Sequence, residues 1–423
     1  MKAKIGFWLL NQKNNPALFF FYLLILFLPL QVGKHFWPKQ AFVYGLRIDY
    51  LSPTLYLTDI LILIILIDVF IRKVKNRNLF KSLVSRSTKI IVVISLLLLA
   101  SALFSKNQVV AIYGIIKFLE FLFLALFIAK KIRPHSTMYF LMAVSVTYEG
   151  LIAIMQFINQ RSLGGIFYYF GERTFTGQTP GIANASLGGE LILRAYGTFS
   201  HPNVLAGFLV IFMSVILANM VKKNKFQFIQ WLSIIIGSIA LFLTLSRIAI
   251  ILWLVAIFLI LITKYKLNKI IILLIPLILG VFFLSPLYLR FVNLTLGNES
   301  ISNRIILIDA SIKMFNKSPL LGVGLNNFIV NIPEVIKITS TSLLQPVHNI
   351  YLLILSEVGL FGIIVFLGLL YFSFKSVSKN SPFFLSLVLI LILGIFDHYF
   401  LTLQQGQLLL TVILGFCWAK VAK

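Results

Sequence analysis

The chain has 423 residues, 60% of them hydrophobic, and a mean hydropathy of +0.99. That excludes the ordinary soluble class. The net charge of +25 invites a nucleic-acid reading, but the basic residues follow the sides of a membrane rather than one binding face.

A bilayer-spanning helix needs about 20 mostly apolar residues. Twelve stretches meet that need, near 16–33, 55–71, 89–105, 109–129, 137–159, 203–221, 228–245, 248–263, 269–289, 350–373, 381–397 and 402–419. They are continuous runs, unlike the short alternating segments of a β-barrel. The expected fold is therefore an all-α polytopic membrane protein with about twelve transmembrane helices, a single domain over 1–423. The first run, ALFFFYLLILFLPLQV, has no small-x-small cleavage site and is read as a retained span. With a cytoplasmic N-terminus, 23 of the 37 Lys and Arg fall on the inner side, at Arg72 to Lys89, Lys130 to Arg133 and similar short connections. The positive-inside rule then places both termini in the cytoplasm. Anionic lipid heads at the inner leaflet are natural partners of these residues; nucleic acid is not. The single cysteine, Cys417, excludes an intrachain disulfide and a Cys-based metal site.

Neither an internal repeat nor a low-complexity linker is evident. Two outer loops stand apart, 160–202 and 290–348. The first is rich in glycine and aromatics. In the second, Ile305, Ile308, Ile312 and Phe315 recur at helical spacing, with Arg304, Asp309 and Lys313 on other faces. This predicts an amphipathic helix from Arg304 to Phe315 that lies along the interface or covers the spans.

Candidate residues cluster on the outer side. Arg247 sits where LTLSR meets RIAIILWLVA, in an outer hairpin with almost no loop. It is either a snorkelling anchor or an anion ligand; the absence of any second basic residue in the hairpin favours the ligand. Arg304 begins the amphipathic segment, either as a solvated residue or as a second anion ligand. His348 follows Pro346 and precedes a long apolar run. A helix N-terminus disfavours imidazolium, and a neutral imidazole is what a general base requires. His201 precedes Pro202, which suits a first helical turn, so Ser200 or His201 is a capping residue. Arg194 is an accessory anion contact. Glu357, nine residues after His348, falls on the opposite helix face and does not orient it. Lys117 and Glu120, three apart within a span, can pair; Glu149 and Asp68 also need partners. The phosphate-loop, dinucleotide, zinc-protease and nucleophile-elbow motifs are absent. No close pair of carboxylates occurs in the outer loops, so no divalent metal is expected.

Four stretches, RAYGTFSHPNVLAGFL, the LSR of the hairpin, NRIILIDASIKMFNKSPLLGVGLNNF and HNIYLLILSEVGLFG, together resemble the O-antigen ligase family, which includes O-antigen polymerases and related surface-glycan polymerases. The resemblance covers about 118–372. It implies a C-type membrane glycosyltransferase, inverting and metal-independent, with no cofactor. The donor would be a glycan on undecaprenyl diphosphate, and the acceptor lipid A-core or another glycan, at the outer face of the bacterial inner membrane. By motif, Arg247 and Arg304 match the arginines that engage the diphosphate and His348 the catalytic histidine. His201 lies in a family motif without an assigned catalytic role. The rival class is a transporter or lipid-linked glycan flippase, which also has about twelve spans but tends to carry internal repeats.

Overall fold

The computed structural model describes residues 15–75, 86–187, 190–220, 224–265 and 299–419. The expected span near 269–289, the basic stretch 76–85 and the start of the second outer loop lie outside them. Helices occupy the other eleven expected positions: α1 Pro16–Phe27, α2 Leu57–Lys75, α3 Arg86–Leu103, α4 Gln108–Lys131, α5 Ser136–Asn159, then, after the short α6 Ile166–Tyr169, α7 Pro202–Asn219, α8 Gln227–Leu243 and α9 Arg247–Tyr265. The order continues with α10 Glu299–Lys317, α11 Phe328–Val335, α12 Ile350–Ser376, α13 Pro382–Phe396, the one-turn α14 Tyr399–Thr402 and α15 Gln404–Trp418. Five of them, α4, α5, α7, α9 and α12, are long and apolar enough to cross a membrane, and α1, α8, α13 and the Ile91–Leu103 part of α3 are shorter apolar helices. The protein is thus a mostly helical, polytopic membrane protein.

Helix α7 is the hub. Residues from Val204 to Met220 are almost all buried, so it is hydrophobic all round as an enclosed helix must be. Helices α5, α8, α9, α13 and α15 pack about it. The bundle's outer faces keep large apolar side chains exposed, such as Ile364, Leu367 and Phe372 on α12, which suits lipid as the surrounding solvent.

Small antiparallel ribbons decorate one end of the bundle. Strand β1 Gly33–His35 pairs with β4 Thr54–Tyr56, β2 Phe42–Val43 with β3 Leu46–Arg47, and β5 Asn184–Leu187 with β6 Glu190–Leu193. The loops 160–201, 244–246, 318–349 and 397–403 meet at this end, tied by Ala195 N–H to the Leu243 carbonyl and Asn349 Nδ2 to the Ile395 carbonyl. The opposite end carries Lys130, Lys131, Lys264, Lys375 and Lys379, and there Lys264 Nζ donates to the Asn380 carbonyl.

Helix α12 is broken, and the Pro-Leu-Leu-Gly-Val-Gly turn fills the break. Gly359 has φ 70° and ψ −160°, which interrupts the helical hydrogen bonding. The loop supplies the missing partners: Val323 N–H donates to Ser356 O and Gly324 N–H to Glu357 O, each at 2.9 Å, while Leu360 N–H donates to Pro319 O at 2.8 Å. A Cβ on Gly322 (φ 67°) would lie 2.3 Å from the Glu357 carbonyl carbon, so no larger residue fits. Non-helical backbone at membrane depth survives only where protein satisfies it, and this loop does so. The Glu357 carboxylate accepts from Asn326 and Phe328 N–H at 3.0 Å each. It thus serves the splint and not His348, in line with its expected helix face.

Helix α10 extends further than its sequence pattern suggested, and its buried face differs. Leu307, Ala310 and Met314 are buried with Val347 and Leu353, whereas Ile305, Ile308 and Ile312 are exposed. The periodicity was correct but identified the outward stripe. A helix lying at a membrane surface can present apolar residues on two sides, to protein and to lipid, so spacing alone does not say which stripe docks.

Candidate active site

Three chain segments bring three histidines and one aspartate to the ribbon-bearing end. His201 is the N-cap of α7: its Nδ1 accepts from Asn203 N–H at 3.1 Å, and Pro202 holds the first helical position. His348 stands one residue before the N-cap of α12. That cap is Asn349, whose Oδ1 accepts from Tyr351 and Leu352 N–H at 2.9 Å each. Asp397 and His398 form the break between α13 and α14, where the Asp397 carboxylate accepts from His398 N–H at 2.8 Å. The His348 and His398 rings meet edge to face, 5.1 Å apart between centroids.

The segment leading to His201 is fixed from α5. Glu149 accepts from Thr198 N–H at 3.0 Å and Thr198 Oγ1 at 2.7 Å, and Gln156 Oε1 accepts from Gly197 N–H at 2.8 Å. Glu149 therefore has its partner, as Asp68 has Arg72 at 2.9 Å. Arg194, just past β6, donates from Nε to the Thr244 carbonyl and from Nη2 to Asn203 Oδ1, both at 2.7 Å. Asn203 Nδ2 in turn donates to Asp397 Oδ2 at 3.1 Å. Arg194 thus orients the aspartate through Asn203, while also tethering the hairpin that carries Arg247.

Arg304 is carried to the cluster by α10, which docks along the first half of α12. Ser311 Oγ donates to Leu352 O at 3.1 Å and Asn303 Nδ2 to Ser342 Oγ at 2.9 Å. The Arg304 charge acts on both His348 and His398. Arg247 heads α9 beside the tethered hairpin, but it is not among the residues that line the cavity described next. Arg173, exposed and donating to Ser200 O at 3.2 Å, does line it.

That cavity measures 1220 Å³. His201, His348, Asp397 and His398 all face it at one end, and it continues between α3, α4, α12 and α15 past Leu97, Phe121, Val365 and Leu369 as far as Trp418. A charged end joined to a long apolar trough suits an anionic headgroup on a lipid tail.

Burial pushes the His348 imidazole below its ordinary value; Asp397 pulls it up, and Arg304 pushes it further down. Burial also holds His201 and His398 at about 3. For Asp397, burial alone would raise the carboxyl, while His398, His348, His201 and the Asn203 amide lower it below the usual carboxylate range. These directions oppose one another, because an imidazole kept neutral lends a carboxylate little charge. At neutral pH burial decides, and the imidazoles are neutral. Asp397 is then kept ionised by the Asn203 amide and the His398 N–H.

The ring nitrogens differ in use. Nδ1 of His201 serves the helix cap, Nδ1 of His398 bonds Thr402 Oγ1 at 2.7 Å, and Nδ1 of His348 is buried with no hydrogen-bond partner among the described residues. Ligand atoms of His348, Asp397 and His398 lie within 4.8 Å of one another, a donor set a metal ion could use. Its members lie some fifty residues apart, and no pair of carboxylates marks them in the sequence. The neighbouring Arg304 charge disfavours a cation there.

Asp397 and His398 were missed in the sequence because IFDHYF reads as the margin of two apolar runs. An Asp-His pair where one apolar run yields to another was the available signal. Arg247, Arg304 and His348 lie within residues 232–367, which match the family model described as O-antigen ligase, while Arg194, His201, Asp397 and His398 lie outside that stretch. No curated protein matches the chain. Over residues 232–367, about a third of its length, the chain is thus similar to the O-antigen ligase family.

Proposed function

We propose that the protein is a glycosyltransferase that moves a glycan from an undecaprenyl diphosphate carrier to an acceptor hydroxyl at the outer face of the bacterial inner membrane, by an inverting reaction that needs no metal. The observation that carries this reading is the cavity itself: three imidazoles, one carboxylate and Arg173 at one end, and a long, mostly apolar trough leading away. The leaving diphosphate is already stable as an anion and calls for charge neutralisation, which arginine forks supply. Arg304, whose charge acts on His348 and His398, is the first such group, and Arg247, beside the hairpin that Arg194 tethers, is the second. His348 removes the acceptor proton as its oxygen attacks the anomeric carbon from the side opposite the diphosphate. Of the three imidazoles it has the uncommitted Nδ1. Asp397 lies in position to stabilise the imidazolium that forms. The glycine- and aromatic-rich segment 160–202 provides the acceptor side, with Tyr168 and Tyr169 exposed on α6. Lipid A-core and a second carrier-linked repeat are both acceptors this chemistry allows, so a surface-glycan polymerase uses the same machinery.

The test is transfer of a labelled lipid-linked glycan by purified protein in liposomes. Transfer to an acceptor that persists in EDTA is the expected result. Movement of the intact donor across the bilayer without transfer would indicate a flippase. Activity lost on chelation and restored by Mg²⁺ or Mn²⁺ would assign the His348–Asp397–His398 group to a metal.

The orientation follows from the basic end of the bundle, which the positive-inside rule assigns to the cytoplasm. In a Cys417→Ala background, Gln178→Cys and Thr341→Cys should react with an impermeant thiol reagent added outside intact cells, and Ser378→Cys should not. Reaction at Ser378→Cys alone would invert the topology and move the site to the cytoplasmic face.

A further inference from the structure

A second polar cluster lines the cavity near its ribbon-bearing end, where α2 and α15 begin. Lys117, on α4 and inside an otherwise apolar span, donates from Nζ to Asp59 Oδ1 of α2 at 2.6 Å and to Glu120 Oε2 at 2.8 Å. Lys117 is only 6% exposed and Asp59 8%, and the ammonium side of the cluster lines the cavity. Tyr56 N–H donates to Asp59 Oδ2 at 2.9 Å, and Gln404 of α15 donates from Nε2 to Asp59 Oδ1 and, at 2.9 Å, to Thr58 Oγ1.

The charges do not balance. Two carboxylates meet over one ammonium, and the described residues offer no second cation in contact with them. The titratable groups that face Glu120 and Asp59 are Lys117 and Tyr113 from α4 and Tyr56 from β4; α15 presents the uncharged Gln404. Glu120 Oε1 and Gln404 Oε1 are, moreover, buried acceptors without a donor among the described residues, and Gln404 is 4% exposed. An uncompensated buried carboxylate is costly, and orphaned acceptors in a buried network call for one more hydrogen.

We propose that Asp59 and Glu120 share one proton over Lys117, forming a buried proton-binding site that keeps the cavity wall neutral toward the anionic headgroup of the donor. With the proton the cluster carries no net charge; without it the cluster carries one negative charge beside the route the lipid diphosphate takes. Long-range repulsion in this low-dielectric wall then weakens donor binding. The second half of the proposal rests on the glycan-donor reading above; the first does not.

A hydrophobic carbodiimide tests the proton directly, on wild-type protein in liposomes. A protonated carboxyl gives its proton to a carbodiimide nitrogen while its oxygen adds to the central carbon, and the adduct rearranges to a stable acylurea. Dicyclohexylcarbodiimide should label Glu120 or Asp59, mapped by mass spectrometry, faster as the pH is lowered. Glu120→Gln and Asp59→Asn should each cut that labelling at least several-fold. Donor KM should rise several-fold in the wild type from neutral to alkaline pH and stay flatter in Glu120→Gln, which carries no ionisable group at that position. Labelling that is absent, or the same at every pH, would overturn the proton site. Equal pH profiles of KM in the two proteins would overturn its action on the donor. Labelling that follows pH in a protein that binds no lipid-linked glycan would sink the donor reading while the proton site stood.

Discussion

Replacing His348 by alanine should lower turnover by about 100- to 10,000-fold, the usual contribution of a positioned general base, while donor affinity stays near the wild-type value. The structure sharpens this expectation in two ways. First, the base has company: His398 lies edge to face against it and His201 faces the same cavity. Nδ1 of His201 accepts from Asn203 N–H, so its neutral ring carries its proton on Nε2 and cannot act as the base. Thr402 Oγ1 donates to the His398 carbonyl, so His398 Nδ1 donates to Thr402. His398 Nε2 is then the source of any residual rate, which His348→Ala combined with His398→Ala should remove. Second, burial and the Arg304 charge hold the His348 imidazole below its ordinary value. A base works in its unprotonated form, so the wild-type rate should stay level through the usual imidazole range and fall only at more acidic pH. Donor affinity and single-turnover rate, wild type against His348→Ala, decide the role. Weak donor binding with a normal rate at saturation would make His348 a diphosphate ligand and leave the base to another residue.

Most of the helices could be read from the sequence because a span is a local property: about 20 apolar residues suffice, whatever packs against them. Capping was legible for the same reason, and His201 caps α7 as the His-Pro pair suggested. Pairing at short range was also legible, since Lys117 does bond Glu120 three residues on. What the sequence hid depends on distant segments. Asp59 joins Lys117 from another helix, and Asp397 and His398 reach His348 only after α12 and α13 have crossed the bundle. The stripe of α10 that docks was hidden too, because both of its apolar faces obey the same period. Arg194 was visible as a residue but not as a link, for its two partners, Asn203 and Thr244, lie in separate segments further along the chain.

Arg304→Lys should lose most transfer activity although it keeps the charge. Lysine offers a point ammonium where arginine offers a planar fork, so the bidentate grip on a diphosphate is lost. A hydrogen bond to a charged group is worth about 1.5–3 kcal/mol, so a drop of roughly ten- to a hundredfold in kcat/KM is the expected size. Folding should be untouched, because α10 is held by Leu307, Ala310, Met314, Asn303 and Ser311 rather than by Arg304. Arg304→Gln provides a second, independent reading. The Arg304 charge lowers the His348 pKa; without that charge the pKa rises, and the acid limb of the rate profile should move toward neutral pH. In Arg304→Lys the charge remains and the limb should stay where it is. A lysine variant with near-wild-type turnover would reduce Arg304 to a solvated helix residue. A glutamine variant with an unmoved acid limb would mean that Arg304 does not act on the catalytic imidazole, and that the anion is held chiefly by Arg247 or Arg194.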